Sequence, residues 1–282
     1  DVYPTSLAQI SDFFIFSLSN GKIFSFNLDG SIIWQRNFND ILKTPIKIFD
    51  ENIIIVLSNK IISLNHINGN NNWEFLLDNS NPLKVLGGDI VSLNHYLFVL
   101  LPNNNFVMID TIMGDMVNTE YHKYFKNNQT SGSSDQIHSF NNLISYFGQS
   151  NYLTTIDIDK QIILLNNKKI LNVNSFRFYN NSLITLNNDS LLKAYNISNN
   201  KLFWQIDISD KVKKNESIVN IANYNNSLII FLKNDLILEL NSINGKIISE
   251  DNLKLKNIIS IKNQNEYLLI DQINSKTSIF IK

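Results

Sequence analysis

The chain of 282 residues contains no cysteine. Disulfides, thiol nucleophiles and thiolate metal centres are therefore excluded. Charge of one sign is also lacking: 24 Lys and Arg stand against 25 Asp and Glu, a net charge of −1. Nucleic-acid surfaces draw their affinity from clustered cations, so this balance speaks against them. The short basic run Lys211-Val-Lys-Lys214 reads as a solvated loop. No apolar stretch is long enough for a membrane-spanning helix, and no signal-peptide pattern is visible. The chain has no G-x-S-x-G elbow, Walker loop or G-x-G-x-x-G fingerprint. Its histidines, His66, His95, His122 and His138, form no close same-face pair and no His-Glu-x-x-His motif. Each reads as a turn or strand-edge residue rather than a metal ligand. Helical periodicity is missing as well, for no window of 12 or more residues keeps an i, i+3, i+4, i+7 pattern.

What is present is a repeat. Gly21-Lys-Ile-Phe-Ser-Phe-Asn-Leu-Asp-Gly-Ser-Ile-Ile-Trp34 is echoed by Asn59–Trp73 and by Asp189–Trp204. These hold the only three tryptophans. Weaker copies place Asn118, Leu164 and Ser249 at the tryptophan position. Successive markers lie 39, 45, 46, 40 and 45 residues apart. That period suits four short strands with their turns, one blade of a propeller. Inside the units the alternation has period two: Ile23, Ser25 and Asn27 alternate with Phe24, Phe26 and Leu28. In the first unit the strands are expected near 3–9, 12–18, 22–28 and 31–37. Asp29-Gly30, Asn68-Gly69 and Asn244-Gly245 read as two-residue hairpin signals, because both residues tolerate positive φ.

The expected fold is all-β, a β-propeller of four-stranded antiparallel blades in one domain spanning 1–282. Seven units are visible. The last offers three strands, near 257–261, 267–271 and 277–281. Two readings follow: an eight-bladed propeller lacking its N-terminal part, or a ring closed by another route. With 44% hydrophobic residues the chain can bury a large core. The segment from Lys126 to Asp135 reads as an exposed loop between the third and fourth units.

The tryptophans admit a ligand-stacking surface or a packing residue between neighbouring blades. Recurrence at one register favours packing, since packing sites recur and ligand sites are few. Asp157 and Asp159 fall where Asn27 and Asp29 fall in the first unit, so turn chemistry accounts for them. Gly87-Gly88 reads as a turn ahead of a strand at Ile90.

The Trp-marked unit resembles the repeat of pyrroloquinoline-quinone-like propellers, good at the first, second and fifth units and degenerate elsewhere. The dehydrogenase branch of that group holds its quinone under a vicinal disulfide, which a cysteine-free chain cannot form. The order of the degenerate units is similar to the BamB family, the propeller lipoproteins of outer-membrane β-barrel assembly. Trp73-Glu-Phe-Leu-Leu-Asp78 precedes Pro82-Leu-Lys-Val-Leu-Gly-Gly-Asp89, the longest loop (about Tyr121–His138) follows the next unit, and the penultimate unit replaces Trp with Ser249.

This resemblance implies a non-catalytic periplasmic scaffold, tethered to the inner leaflet of the outer membrane through a lipid anchor outside this chain. It implies no cofactor, metal or nucleic acid. It implies binding to the POTRA domains of a BamA-like assembly subunit, and contact with unfolded outer-membrane proteins. In the family the last blade is completed by an N-terminal strand. The family's Leu-x-Leu-Arg-Gly loop falls on Leu83, Lys84, Val85, Leu86 and Gly87, with Leu86 in place of the arginine. Asp135 stands near the family's acidic loop pair. Leu83 and Val85 admit two readings, a partner interface or ordinary strand packing. The alternatives to this function are a PQQ-like propeller with another protein partner and a quinoprotein enzyme.

Overall fold

Strands form where β-branched and aromatic residues alternate with small polar ones, and the chain reverses at Asn, Asp and Gly. The computed structural model describes residues 2–42, 44, 46–76, 90–100, 106–117, 137–147, 151–212, 216–224, 227–252, 258–264, 267–272 and 277–281. Among them there is no helix. Two compact units divide the chain, Asp1–Asn167 and Lys168–Lys282.

In the first unit, β1 (Pro4–Ile10), β2 (Phe13–Leu18), β3 (Lys22–Asn27) and β4 (Ile32–Asn37) make the first sheet. β5 (Lys47–Phe49), β6 (Asn52–Val56), β7 (Lys60–Asn65) and β8 (Asn71–Leu76) make the second. β9 (Ile90–Leu93), β10 (Tyr96–Leu100) and β11 (Phe106–Asp110) make the third, where an Ile109–Met116 bridge starts a further pairing. β12 (Ile137–Phe140), β13 (Leu143–Phe147), β14 (Tyr152–Asp157) and β15 (Ile162–Lys169) make the fourth. In the second unit, β16 (Val173–Tyr179), β17 (Ser182–Asn187), β18 (Leu191–Asn196) and β19 (Leu202–Asp207) make the fifth sheet. The sixth is β20 (Ile218–Tyr224), β21 (Ser227–Leu232), β22 (Leu236–Asn241) and β23 (Ile247–Asn252). β24 (Ile258–Gln264), β25 (Tyr267–Gln272) and β26 (Thr277–Ile281) form the seventh. Every sheet is a simple antiparallel meander in chain order. The first-sheet strands differ by at most one residue at each end from those the alternation predicts.

β6 is buried on both faces, because the first sheet lies on one side of it and the third on the other. β6 shows how the period-two pleat divides the work. Ile53 and Ile55 pack with Ile15 and Ile23 of the first sheet, whereas Ile54 and Val56 pack with Ile90, Leu97 and Val99 of the third. β21 has every residue buried and forms the core between the fifth and sixth sheets with Ile184, Leu186 and Leu192. Each such aliphatic side chain contributes about 1.5–3 kcal/mol by leaving water. Neighbouring first strands are also tied. A β-bulge occurs at Pro4/Ser6 and again at Val173/Ser175. At these bulges Ser6 Oγ accepts from Ile46 N at 3.2 Å, and Ser175 Oγ accepts from Ile218 N at 2.9 Å.

The turns between third and fourth strands correct the two-residue expectation. Asn65 N donates to Asn70 O and Gly69 N to Asn65 O, both at 2.9 Å, so four residues lie in the loop. Asn65 Oδ1 accepts from Ile67 N (2.9 Å) and Asn68 N (3.3 Å), closing one helical turn. Asp110, Asn196 and Asn241 do the same in their sheets. A capped helical turn needs only one left-handed residue to rejoin the strand. Hence the glycine of each Asn-Gly pair takes positive φ, 71° at both Gly69 and Gly245, and the asparagine does not.

Candidate functional site

Each tryptophan is spent on joining sheets. Trp34 Nε1 on β4 donates to His66 O at 2.8 Å, Trp73 Nε1 on β8 to Thr111 O at 2.7 Å, and Trp204 Nε1 on β19 to Ser242 O at 3.1 Å. Every acceptor is the first residue of the capped turn in the following sheet. The tryptophan side chain then packs directly against that turn's glycine. A β-carbon built on Gly69, Gly114 or Gly245 would come within 2.7, 2.6 and 2.6 Å of Trp34, Trp73 and Trp204. Where the preceding marker is Asn118 or Leu164, the left-handed turn residue is Gln161 or Asn200 instead of glycine. Opposite the indoles the register places small residues: Ser25 faces Trp34, Ser63 faces Trp73, and Ala194 faces Trp204. Ser249 occupies the same register opposite Glu239 and bonds it at 2.7 Å. The tryptophans are therefore packing residues between sheets.

The two arginines of the chain make junctions too. Arg36 Nη1 donates to Gly69 O at 2.6 Å, and its Nη2 to Asn71 Oδ1 at 3.1 Å. Arg177 donates from Nε and Nη2 to Val219 O, at 3.2 and 2.9 Å. Lys211, read from sequence as part of a solvated run, instead reaches Glu250 at 2.6 Å. The Glu250 bond, outweighing desolvation, raises its pKa.

Titratable groups with distinct environments serve turns. Asp157 is 2% exposed. Its Oδ1 accepts from Asn142 Nδ2 (2.6 Å) and Lys160 N (3.0 Å), and Oδ2 lies 3.1 Å from Lys160 Nζ. Burial pushes its carboxyl up, but the bonds from Lys160 and Asn142 and the Lys160 charge together hold it below the usual range. Asp159 accepts from Asn94 Nδ2 at 3.2 Å. His66, in a turn, has Nδ1 2.6 Å from Glu51 O, His95 occupies the turn before β10, and His138 lies on β12; His122 lies outside the described residues. Among the described residues no three His, Asp or Glu side chains gather as metal ligands.

Between the fifth and sixth sheets opens a cavity of about 400 Å³. Tyr179, Asn180, Asn181 and Ser182 line it from the β16–β17 turn, Phe203 and Trp204 from β19. Asn223 on β20 and Ser242 and Ile243 in the β22–β23 turn complete the wall, over a floor of Ile184, Ala194 and Leu228. No charged side chain is among these lining residues. Burial raises the Tyr179 phenol above its usual range, against an opposing hydrogen bond with Asn180. Such a lining can stack, hydrogen-bond and exclude water, but it presents no carboxylate, imidazole or amine for proton transfer.

Aligned by register, the junction between the first two sheets shows the same place filled. Ser182 pairs with Tyr179 as Phe13 pairs with Ile10. Ser242 follows Asn241 as His66 follows Asn65, and Asn223 faces Leu228 as Ile48 faces Ile53. The Phe13 and His66 rings meet edge to face at 5.5 Å. In the second sheet Asn52 stands at the Phe13 position, and its Oδ1 accepts from Nδ2 of Asn72, at the Phe203 position, at 2.6 Å.

The residues that the resemblance singles out, Leu83, Lys84, Val85, Leu86, Gly87 and Asp135, lie outside the described residues, as does the loop from Lys126 to Asp135. The cavity went unread in the sequence. Its signal was the triple change from Phe13, His66 and Ile48 to Ser182, Ser242 and Asn223 at matched repeat positions.

No protein-family model matches the chain, and no curated protein matches it in sequence. Solved structures do match. A crystal structure of BamB from Moraxella catarrhalis superimposes with a TM-score of 0.71 at 14% identity, covering 96% of this chain and 82% of that one. The C-terminal WD40 domain of Sif2 gives 0.67 at 12% identity, covering 100% and 82%. The β-propeller domain of Cps50 (Swd1) from Myceliophteria thermophila gives 0.65 at 12%, covering 99% and 97%. At these identities the likeness shows fold alone. With the successive antiparallel meanders, it makes the chain a β-propeller of four-stranded blades.

Proposed function

We propose that this propeller is a non-catalytic protein-interaction scaffold, and that its partner is the POTRA region of an outer-membrane β-barrel assembly subunit. Fold by itself does not carry function. The observation that carries the reading is the conjunction of the degenerate repeat order, close to that of the BamB family, with the likeness to a BamB structure over 96% of the chain. The uncharged lining of the open junction supports binding over proton-transfer chemistry. On this reading the protein works in the periplasm, held at the outer membrane, and assists insertion of outer-membrane proteins. Leu83 and Val85 are the apolar contacts that insert at the partner's edge, with Leu86, Gly87 and Asp135 flanking them.

Co-purification with a POTRA fragment tests this. Wild-type chain retains the fragment; a Leu83→Asp, Val85→Asp double variant with an unchanged melting temperature loses it. Retention by the folded double variant removes the loop from the interface. Absence of retention by wild type removes the partner.

A further inference from the structure

We infer that the open junction between the fifth and sixth sheets takes an uncharged aromatic side chain, with its flanking backbone, from a protein partner. The inference rests on the interaction-scaffold reading and names a second contact site for it. The chain itself supplies the template. At the first junction the same register position carries Phe13, whose ring meets His66 edge to face. At the fifth, Ser182 stands at the Phe13 position, and Ser242 and Asn223 stand at those of His66 and Ile48. Three side chains are cut back together, while Tyr179 and Phe203 stand where the first junction has Ile10 and Ile33. Trp204 still donates to the turn carbonyl, and its indole still lies against Gly245. The result is a space of phenylalanine character.

Tyr179 and Phe203 supply ring surface, and Phe203 is 46% exposed at the cavity mouth. The side-chain amide of Asn181 edges the space, and amides both donate to and accept from a peptide backbone. About 400 Å³ exceeds one aromatic ring and suits a ring with adjacent peptide units. The uncharged lining gives a cationic or anionic side chain no counter-ion and would strip its water, so the site discriminates by desolvation. An aromatic anchor in a preformed pocket is the kind of contact that concentrates binding energy in protein interfaces.

The test uses the full chain labelled with 5-fluorotryptophan. Its three tryptophans give three fluorine resonances, assigned by single Trp→Phe variants. N-acetyl-phenylalaninamide is titrated as the probe and N-acetyl-lysinamide as the control. At the ordinary efficiency of small ligands, about fifteen non-hydrogen atoms give a dissociation constant on the order of 1 mM. The expected result is a saturable shift of the Trp204 resonance with the phenylalanine probe, Trp34 and Trp73 unmoved. Ser182→Phe, which refills the junction as Phe13 does, abolishes the shift. Asn223→Ile, which restores the pairing of Ile48, weakens it at least tenfold and serves if Ser182→Phe does not fold. No shift in wild type, an equal shift with the lysine probe, or an undiminished shift in the folded variants overturns the inference. A chain that binds the probe but not a POTRA fragment keeps this site and loses the POTRA reading. One that binds the fragment but not the probe does the reverse.

Discussion

Gly114 lies so close under Trp73 that a β-carbon at position 114 would sit 2.6 Å from both Cβ and Cγ of the tryptophan. The indole nitrogen meanwhile holds Thr111 O, three residues earlier in the same turn. Glycine is needed there twice, for its 78° φ and for the space it leaves. Gly30 shares the positive φ, 84°, yet has nothing within 4 Å of its missing β-carbon. The pair separates strain from crowding. Gly114→Ala is expected to cost about 2–4 kcal/mol, the sum of left-handed strain and overpacking. Gly30→Ala is expected to cost about 1–2 kcal/mol. Urea unfolding of both variants reads the difference as a larger loss of midpoint for Gly114→Ala.

Arg177 predicts a second effect. Its guanidinium reaches Val219 O with two donors, across from the fifth sheet to the sixth. A lysine ammonium lacks the planar fork and cannot reproduce this geometry. Arg177→Lys should lower stability by about 1–2 kcal/mol without changing net charge, read by urea unfolding.

Asp157 predicts a pH dependence. Its folded carboxyl titrates below the usual 3.8, because the Lys160 and Asn142 bonds outweigh burial. The stability it contributes is therefore complete above that value and is lost as pH falls through the lower, folded-state value. Asp157→Asn should be less stable than wild type at pH 7. The gap between the two should narrow as pH drops below 3.8. A thermal unfolding series of the two proteins from pH 7 to pH 2 shows the narrowing, and a constant gap would contradict it.

Phe13 is the occupant that the fifth junction lacks. Phe13→Ser should open the first junction and lower stability by about 2–3 kcal/mol, less than a fully buried phenylalanine because Phe13 is only half-buried. The same fluorine spectrum should then show a shift of Trp34 on adding the phenylalanine probe, absent in wild type.

These relationships show what the sequence carried and what it hid. Strands were legible because alternation is local: Phe24 and Phe26 turn to one face, Ile23 and Ser25 to the other, and the ends follow within a residue. The packing role of the tryptophans was legible because they recur at one register. Their partners were not, since Gly69, Gly114 and Gly245 lie one repeat downstream, beyond any local window. The Asn-Gly turns were misread because the residue that decides them stands three positions earlier, where Asn65 or Asn241 caps a helical turn. The cavity was hidden for a stronger reason. It depends on Ser182, Asn223 and Ser242 being small or polar together, on strands and turns far apart in the chain.

The central proposal is that this propeller holds the POTRA region of an outer-membrane assembly subunit. Calorimetric titration of a purified POTRA fragment into the full chain tests it most directly. The account predicts saturable heat at one fragment per chain, abolished by Leu83→Asp with Val85→Asp at unchanged melting temperature. Wild-type chain that gives no heat with the fragment, at concentrations up to about 100 μM where a weak complex of about −6 kcal/mol would show, contradicts it.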